Sequence, residues 1–233
     1  MKAQMISSNE MAGSSAQSLF TTRKVLLYCG IFSSFLYVIA TILGAMRWQG
    51  YSSIDQSVSE LIGIDAPSAP MVVPLFFIYS LLIYAFGAGV WMSAGQKKAL
   101  RVAAVLIVAK EVLGLVGLLF ARVHLRGIEP TLSDTIHIIV TGIGTLLCVF
   151  PAMGFGAAAF DKRFRIYTIA TMVIFLVFGA LGGMEAGQVA ANLPTPWLGV
   201  WERICIFGYM LWIVTLAIKL LPASAAESNS SNK

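Results

Sequence analysis

The sequence predicts an all-α polytopic membrane protein, a bundle of six transmembrane helices with both termini in the cytoplasm. Three observations carry the prediction. Of 233 residues, 58% are hydrophobic and only 12% are charged, about half the ~25% charged fraction with which a soluble domain wets its surface. The apolar residues gather into six runs, at approximately 25–46, 71–92, 102–121, 136–159, 166–184 and 198–221. Each is long enough to cross the ~30 Å hydrocarbon layer at about 1.5 Å per residue. The third observation is how the basic residues divide between the runs.

Eleven Lys and Arg residues fall on one side of a six-span topology: Lys2, Arg23, Lys24, Lys97, Lys98, Arg101, Lys162, Arg163, Arg165, Lys219 and Lys233. Three fall on the other, Arg47, Arg122 and Arg126, while Lys110 and Arg203 lie within runs. Cytoplasmic loops concentrate Lys and Arg, so the bias directs both termini inward and makes the inner (plasma) membrane the expected location. Five or seven spans would break the alternation.

Residues 1–22 are polar and lack an apolar period, which reads as a disordered cytoplasmic tail. Residues 23–222 form the transmembrane domain, and 223–233 a second disordered cytoplasmic tail. The first run is a full span rather than the short apolar core of a signal peptide. Gly182-Gly183 ends the fifth run, and Pro151 predicts a kink in the fourth. Trp48, Trp91, Trp197 and Trp201 sit at run ends, where interfacial anchors belong.

The net charge of +5 comes from short clusters between apolar runs, not from a basic stripe on a polar face, which excludes nucleic acid as a partner. Membrane lipids are the partners expected. Cys29, Cys148 and Cys205 lie inside apolar runs without metal-like spacing and read as small core residues. Two histidines are too few for a four-histidine transmembrane cytochrome. The chain carries no phosphate-binding P-loop, G-x-S-x-G, C-x-x-C or H-E-x-x-H motif. No cofactor or metal is expected, and an enzyme is the weaker expectation.

The three loops opposite the cytoplasm, 47–70, 122–135 and 185–197, are longer and carry the acids Asp55, Glu60, Asp65, Glu129, Asp134 and Glu185 with His124. Chemistry or recognition therefore belongs at that end. His137 opens the fourth span, with Asp134 three residues earlier on the same helical face. Glu202-Arg203 opens the sixth. Ser59, Glu60, His137, Glu202 and Arg203 are expected to converge on one ligand-binding site there, two carboxylates, an imidazole and a guanidinium satisfying one another or leaving room for a ligand. In the plainer reading, Arg203 bridges Glu60 and Glu202 to pin the loop.

Lys110-Glu111 is an intramembrane pair too deep for a lysine to reach the interface, so it must face the bundle interior or a wet cavity. Adjacent residues point about 100° apart and need not pair with each other. The pair reads either as a proton or ion relay or as a structural pair bonded to other helices. Gly114 and Gly117 allow another helix to approach.

The stretch Gly50-Tyr51-Ser52-Ser53-Ile54-Asp55-Gln56-Ser57-Val58-Ser59-Glu60-Leu61-Ile62-Gly63 resembles a segment of the bacterial and archaeal multi-pass membrane family labelled domain of unknown function 998. In that family one span precedes a "Y-S-x-x-x-x-x-(I/V)-S-E-L" segment and further spans follow it. The resemblance continues with a histidine at the start of the fourth span, here His137. It continues again at the start of the last span, in Gly199, Glu202 and Arg203. It covers most of residues 25–221 and departs in the second loop, where Glu129-Pro130 stands in place of a Phe-Pro-x-Asp-like element. The resemblance implies a multi-pass membrane protein and no assigned activity.

Two functional expectations follow. One is a polar extracytoplasmic pocket that binds or permeates a small polar or lipid-head ligand. The alternative is a membrane-embedded lipid-modifying or hydrolytic enzyme using His137 and nearby carboxylates.

Overall fold

Seven helices account for most of residues 2–222, the part of the chain that the computed structural model describes. They are α1 (Lys2–Arg47), α2 (Ala69–Met92), α3 (Lys98–Phe120), α4 (Leu132–Ile143), α5 (Phe150–Ala158), α6 (Lys162–Ala190) and α7 (Leu198–Leu220). A π-helical stretch, Gly144–Val149, joins α4 to α5, so that Leu132–Ala158 forms one span. Six segments are long and apolar enough to cross a membrane, and no strand occurs among the described residues. Helices are what such a sequence must form, because hydrocarbon offers no partner for an unpaired backbone group.

The helix ends refine the sequence reading. α1 runs back through residues 2–22, where a disordered tail was expected. That stretch holds no proline and a single glycine, Gly13, so nothing stops the helix propagating from the span. The tail expected at 223–233 lies outside the described residues. α4 begins at Leu132, before the apolar run, because Thr131 and Asp134 form a capping box. α6 continues past Gly182-Gly183 to Ala190, so Glu185, expected in a loop, is a helical residue. The kink expected at Pro151 takes the form of the π-helical stretch just before it. Proline supplies no N–H and crowds the carbonyl four residues back, and a wider turn relieves both.

Each span packs on the next, and α1 also meets α7, so the six close into a ring. The loops 48–68, 121–131 and 191–197 gather at one end, here the long-loop end; short turns and the start of the first span lie at the other. One apolar core, around Trp212, Phe86, Leu27, Ile107 and Met153, draws on every span of the ring. A second seals the ring beneath the first long loop, where Val58 and Leu61 pack with Ala40, Val72, Phe76 and Leu118. The loop thus belongs to the core and is not a tether lying over it. The three cysteines are free thiols.

Candidate functional site

The first long loop is fastened by two arginines. The short helical turn Ser59–Ile62 buries Glu60, 2% exposed. Its carboxylate accepts two bonds from Arg126, Nε to Oε1 at 2.6 Å and Nη2 to Oε2 at 3.1 Å, in the forked geometry that suits guanidinium and carboxylate. It accepts three more, from the Gln56 amide, the Ser57 backbone N–H and the Ser57 hydroxyl. Burial pushes this carboxyl up, but the bonds from Arg126, Gln56 and Ser57 outweigh it and hold the group below the ordinary carboxylate value. Arg126 also donates to Thr195 Oγ1 at 2.7 Å and to the Asp55 carbonyl at 2.8 Å, tying all three long loops together.

Arg203 does not bridge Glu60 and Glu202, as the plainer sequence reading had it. Its guanidinium donates to the carbonyls of Ser53 (2.9 Å) and Gln56 (3.1 Å), to that of Gly199 and to the Tyr51 hydroxyl (2.8 Å). Burial pushes Tyr51 up to about 12, with Arg203 pulling the other way. The loop backbone sits so close to α7 that a Cβ at Gly199 would lie 2.6 Å from the Ser53 carbonyl oxygen, which is why no larger residue fits there.

Ser59, His137 and Glu202 do come together. Glu202 accepts the Val58 backbone N–H and, at 3.5 Å, faces the Ser59 hydroxyl. Ser59 Oγ lies 3.2 Å from His137 Nε2, and His137 Nδ1 lies 2.8 Å from the Ala121 carbonyl oxygen. A carbonyl can only accept, so Nδ1 carries hydrogen, and the neutral ring leaves a lone pair on Nε2 toward Ser59. Glu60 and Arg203 make no hydrogen bond to His137 or to one another; their hydrogen bonds link them to this group through the loop, at Gln56 and the Ser57–Ser59 turn. Asp134 makes no hydrogen bond to His137. It binds the His124 ring at 2.8 Å and caps α4, because the capping box turns its carboxylate away from the fourth span.

Below this group lies the charged pair. Lys110 Nζ meets Glu111 Oε2 at 3.1 Å, so the two do pair with each other, the long lysine stem bridging the angle between adjacent positions. Glu111, 3% exposed, also accepts the Ser80 hydroxyl of α2 at 2.6 Å. Lys110 is 27% exposed and lies 5.9 and 6.0 Å from the ring centroids of Tyr79 and Tyr209. Tyr37, Tyr79, Lys110 and Tyr209 all sit ten or eleven residues from the long-loop ends of their helices. That is about 15 Å deep, the middle of the hydrocarbon layer. The Tyr209 hydroxyl is buried with no hydrogen-bond partner, as is Oε2 of Glu185.

One face of α3, the α3 track, runs between the two levels. Lys110, Gly114 and Gly117 recur along one face of α3, with Ala121 just past its end. A Cβ at Gly114 would lie 3.8 Å from Lys110 Nζ, and one at Gly117 3.8 Å from His137 Nδ1. Two glycines therefore line that face between the charged pair and His137, with Val140 Cγ2 of α4 lying 3.4 Å from a Cβ added at Gly117. α4, which packs against α3, has no buried residue. A separate groove of about 740 Å³, lined by Asp65, Pro70, Pro74, Leu118 and Arg122 among others, crosses the ends of α2 and α3 and includes none of the five expected site residues.

Sequence reasoning missed Arg126, Tyr51, Gln56 and Thr195 as partners. Arg126 could have been found, since it is one of only three basic residues on the side that the charge bias leaves poor in them. Among the described residues no group of three or more His, Cys, Asp and Glu side chains converges as a metal site would.

The fold and this end group define a multi-pass helical membrane protein whose first long loop is locked to its last span. The family described as Protein of unknown function (DUF998) matches residues 31–219, and the chain belongs to it. Comparisons with curated proteins and with solved structures find no match.

Proposed function

We propose that the protein sits in the plasma membrane with both termini in the cytoplasm and binds a small polar or lipid-head ligand in the track between His137 and Lys110. The observation that carries this reading is the α3 face itself. A lysine at mid-membrane depth, about a quarter exposed, shares a face of α3, through Gly114 and Gly117, with an imidazole and a hydroxyl at the long-loop end. An ammonium at that depth is costly unless polar groups surround it. Glu111 supplies one, and two donors of the ammonium remain for a ligand. The exposure of α4, which has no buried residue, supports access sideways from the leaflet as well as from the long-loop end.

The test is ligand retention. Lipids and small molecules held by the purified protein are identified by native mass spectrometry, in the original chain and in Gly114→Leu. Alanine would fit at 114, since its nearest contacts are 3.6–3.9 Å, but a leucine fills the track while favouring the helix. Loss of a bound species in Gly114→Leu, with thermal unfolding unchanged, supports the reading; identical retention in both chains sinks it. Orientation is checked by reporter fusions, cytoplasmic at Lys97 and Lys162 and extracytoplasmic at Asp55, Glu129 and Leu193.

A further inference from the structure

We infer that Ser59 is a nucleophile and His137 its general base, and that the ligand class this pair acts on is a carboxylic ester of a membrane amphiphile. The inference rests on the proposed track as the place where such a substrate lies, and it assigns chemistry to the end of that track. Among the described residues, Ser59 is the hydroxyl hydrogen-bonded to a histidine ring nitrogen. Ser52 and Ser57 direct theirs to the carboxylates of Asp55 and Glu60, and Ser133 to a backbone carbonyl.

The direction of that bond follows from its neighbours. Nδ1 of His137 is committed as donor to the Ala121 carbonyl at 2.8 Å, so Nε2 accepts from Ser59 at 3.2 Å. The competing acceptor, Glu202 Oε1, stands at 3.5 Å, well beyond the 2.5–3.0 Å of an O–H···O bond. The imidazole is therefore the nearer acceptor for the hydroxyl hydrogen, and a hydrogen directed there is the arrangement that activates a serine. The base is oriented in turn by a third group, here a backbone carbonyl in the position that an acid often fills. Both partners are held from behind. His137 is anchored on α4 through Ala121, and Ser59 lies in a turn fixed by the Val58 N–H bond to Glu202 and by the buried Glu60–Arg126 pair. Both residues are half-buried, which leaves part of each exposed to an incoming carbonyl.

The step balances with water alone as co-reactant. Ser59 Oγ attacks the ester carbonyl carbon as its proton passes to His137 Nε2, and the carbon–oxygen bond to the alcohol breaks as that proton is returned to the leaving oxygen. A water molecule then gives its proton to Nε2 and attacks the acyl carbon. The acyl–Oγ bond breaks, the carboxylic acid leaves, and Ser59 recovers its hydrogen. The long-loop end, where the pair lies, supplies the water, and the apolar flank along α4 accommodates the chains.

The test uses the full chain in detergent or nanodiscs with a fluorophosphonate probe, which forms an Oγ–phosphorus bond and releases fluoride only from an activated serine. Peptide mass spectrometry is expected to find the adduct on the peptide carrying Ser59, absent in Ser59→Ala and formed about a hundredfold more slowly in His137→Gln, the smallest effect of removing a general base. Ser59→Cys, which keeps a nucleophile in place, is expected to exchange fluorophosphonate for haloacetamide reactivity and so covers the case in which the alanine variant fails to fold. No adduct on the folded chain overturns the inference, as does labelling unaffected by His137→Gln. If a bound species is retained while Ser59 stays unlabelled, the inference falls and the binding reading stands. If Ser59 is labelled while no chain holds a ligand, the binding reading falls instead.

Discussion

Replacing Arg126 with methionine tests whether the first long loop is held by charge. Methionine keeps much of the stem but removes both bonds to Glu60 and those to Thr195 and Asp55. Glu60 is then a carboxylate only 2% exposed, with Gln56 and Ser57 alone to satisfy it. Breaking a buried ion pair from one side costs about 3–5 kcal/mol. Because three bonds to Glu60 survive, the low end, about 3 kcal/mol, is expected. The assay is a denaturant titration of folded protein in mixed micelles, joined to hydrogen exchange at the backbone amides of residues 56–60. The double variant Arg126→Met with Glu60→Gln removes the stranded charge and is expected to recover part of the loss. Acid adds an independent sign. Glu60 is held below its ordinary value in the folded chain, so its contribution is fully present above the unfolded value of about 4.3 and is lost as pH falls through the folded one. Without Arg126 that folded value rises, so acid unfolding moves to higher pH. A loss under about 1 kcal/mol, with exchange at 56–60 unchanged, would refute the reasoning.

Glu111→Ala leaves Lys110 unpaired at mid-membrane depth and is expected to cost about 3–5 kcal/mol, while Lys110→Met with Glu111→Leu is expected to be less damaging than Glu111→Ala. Thermal unfolding in detergent decides, and a double variant as unstable as the single would refute a charge origin. Gly199→Ala drives a methyl against the Ser53 carbonyl oxygen and Arg203 Nη1, at 2.6 and 2.8 Å, and is expected to cost about 1–3 kcal/mol by overpacking. If the same melting assay finds Gly199→Ala neutral, the loop does not seat on α7 as described.

Topology was written in the sequence because it depends on quantities that add along the chain. Apolar length sets where a span fits, and backbone pairing must then be satisfied inside each helix whatever its neighbours do. Helix ends were less legible: the capping box of Thr131 and Asp134 and the persistence of α6 past two glycines are contests between local bonding and composition that an apolar run does not record. The end group was half legible. Residue type and depth singled out Ser59, Glu60, His137, Glu202 and Arg203, and the alternation of spans put them at one end.

Which of them touch was decided only by the tertiary structure. Pairing depends on differences of a few tenths of an ångström between residues up to 152 positions apart, as Tyr51 and Arg203 are. A guanidinium chooses among carboxylates and carbonyls by geometry, not by sequence order. Arg126 therefore took Glu60, Arg203 took the loop carbonyls, and Ser59 was left facing His137. In the same way the sequence required polar company for Lys110. Only the packing of α3 against its neighbours determined that this company is Glu111 within hydrogen-bond reach and two tyrosine rings nearby.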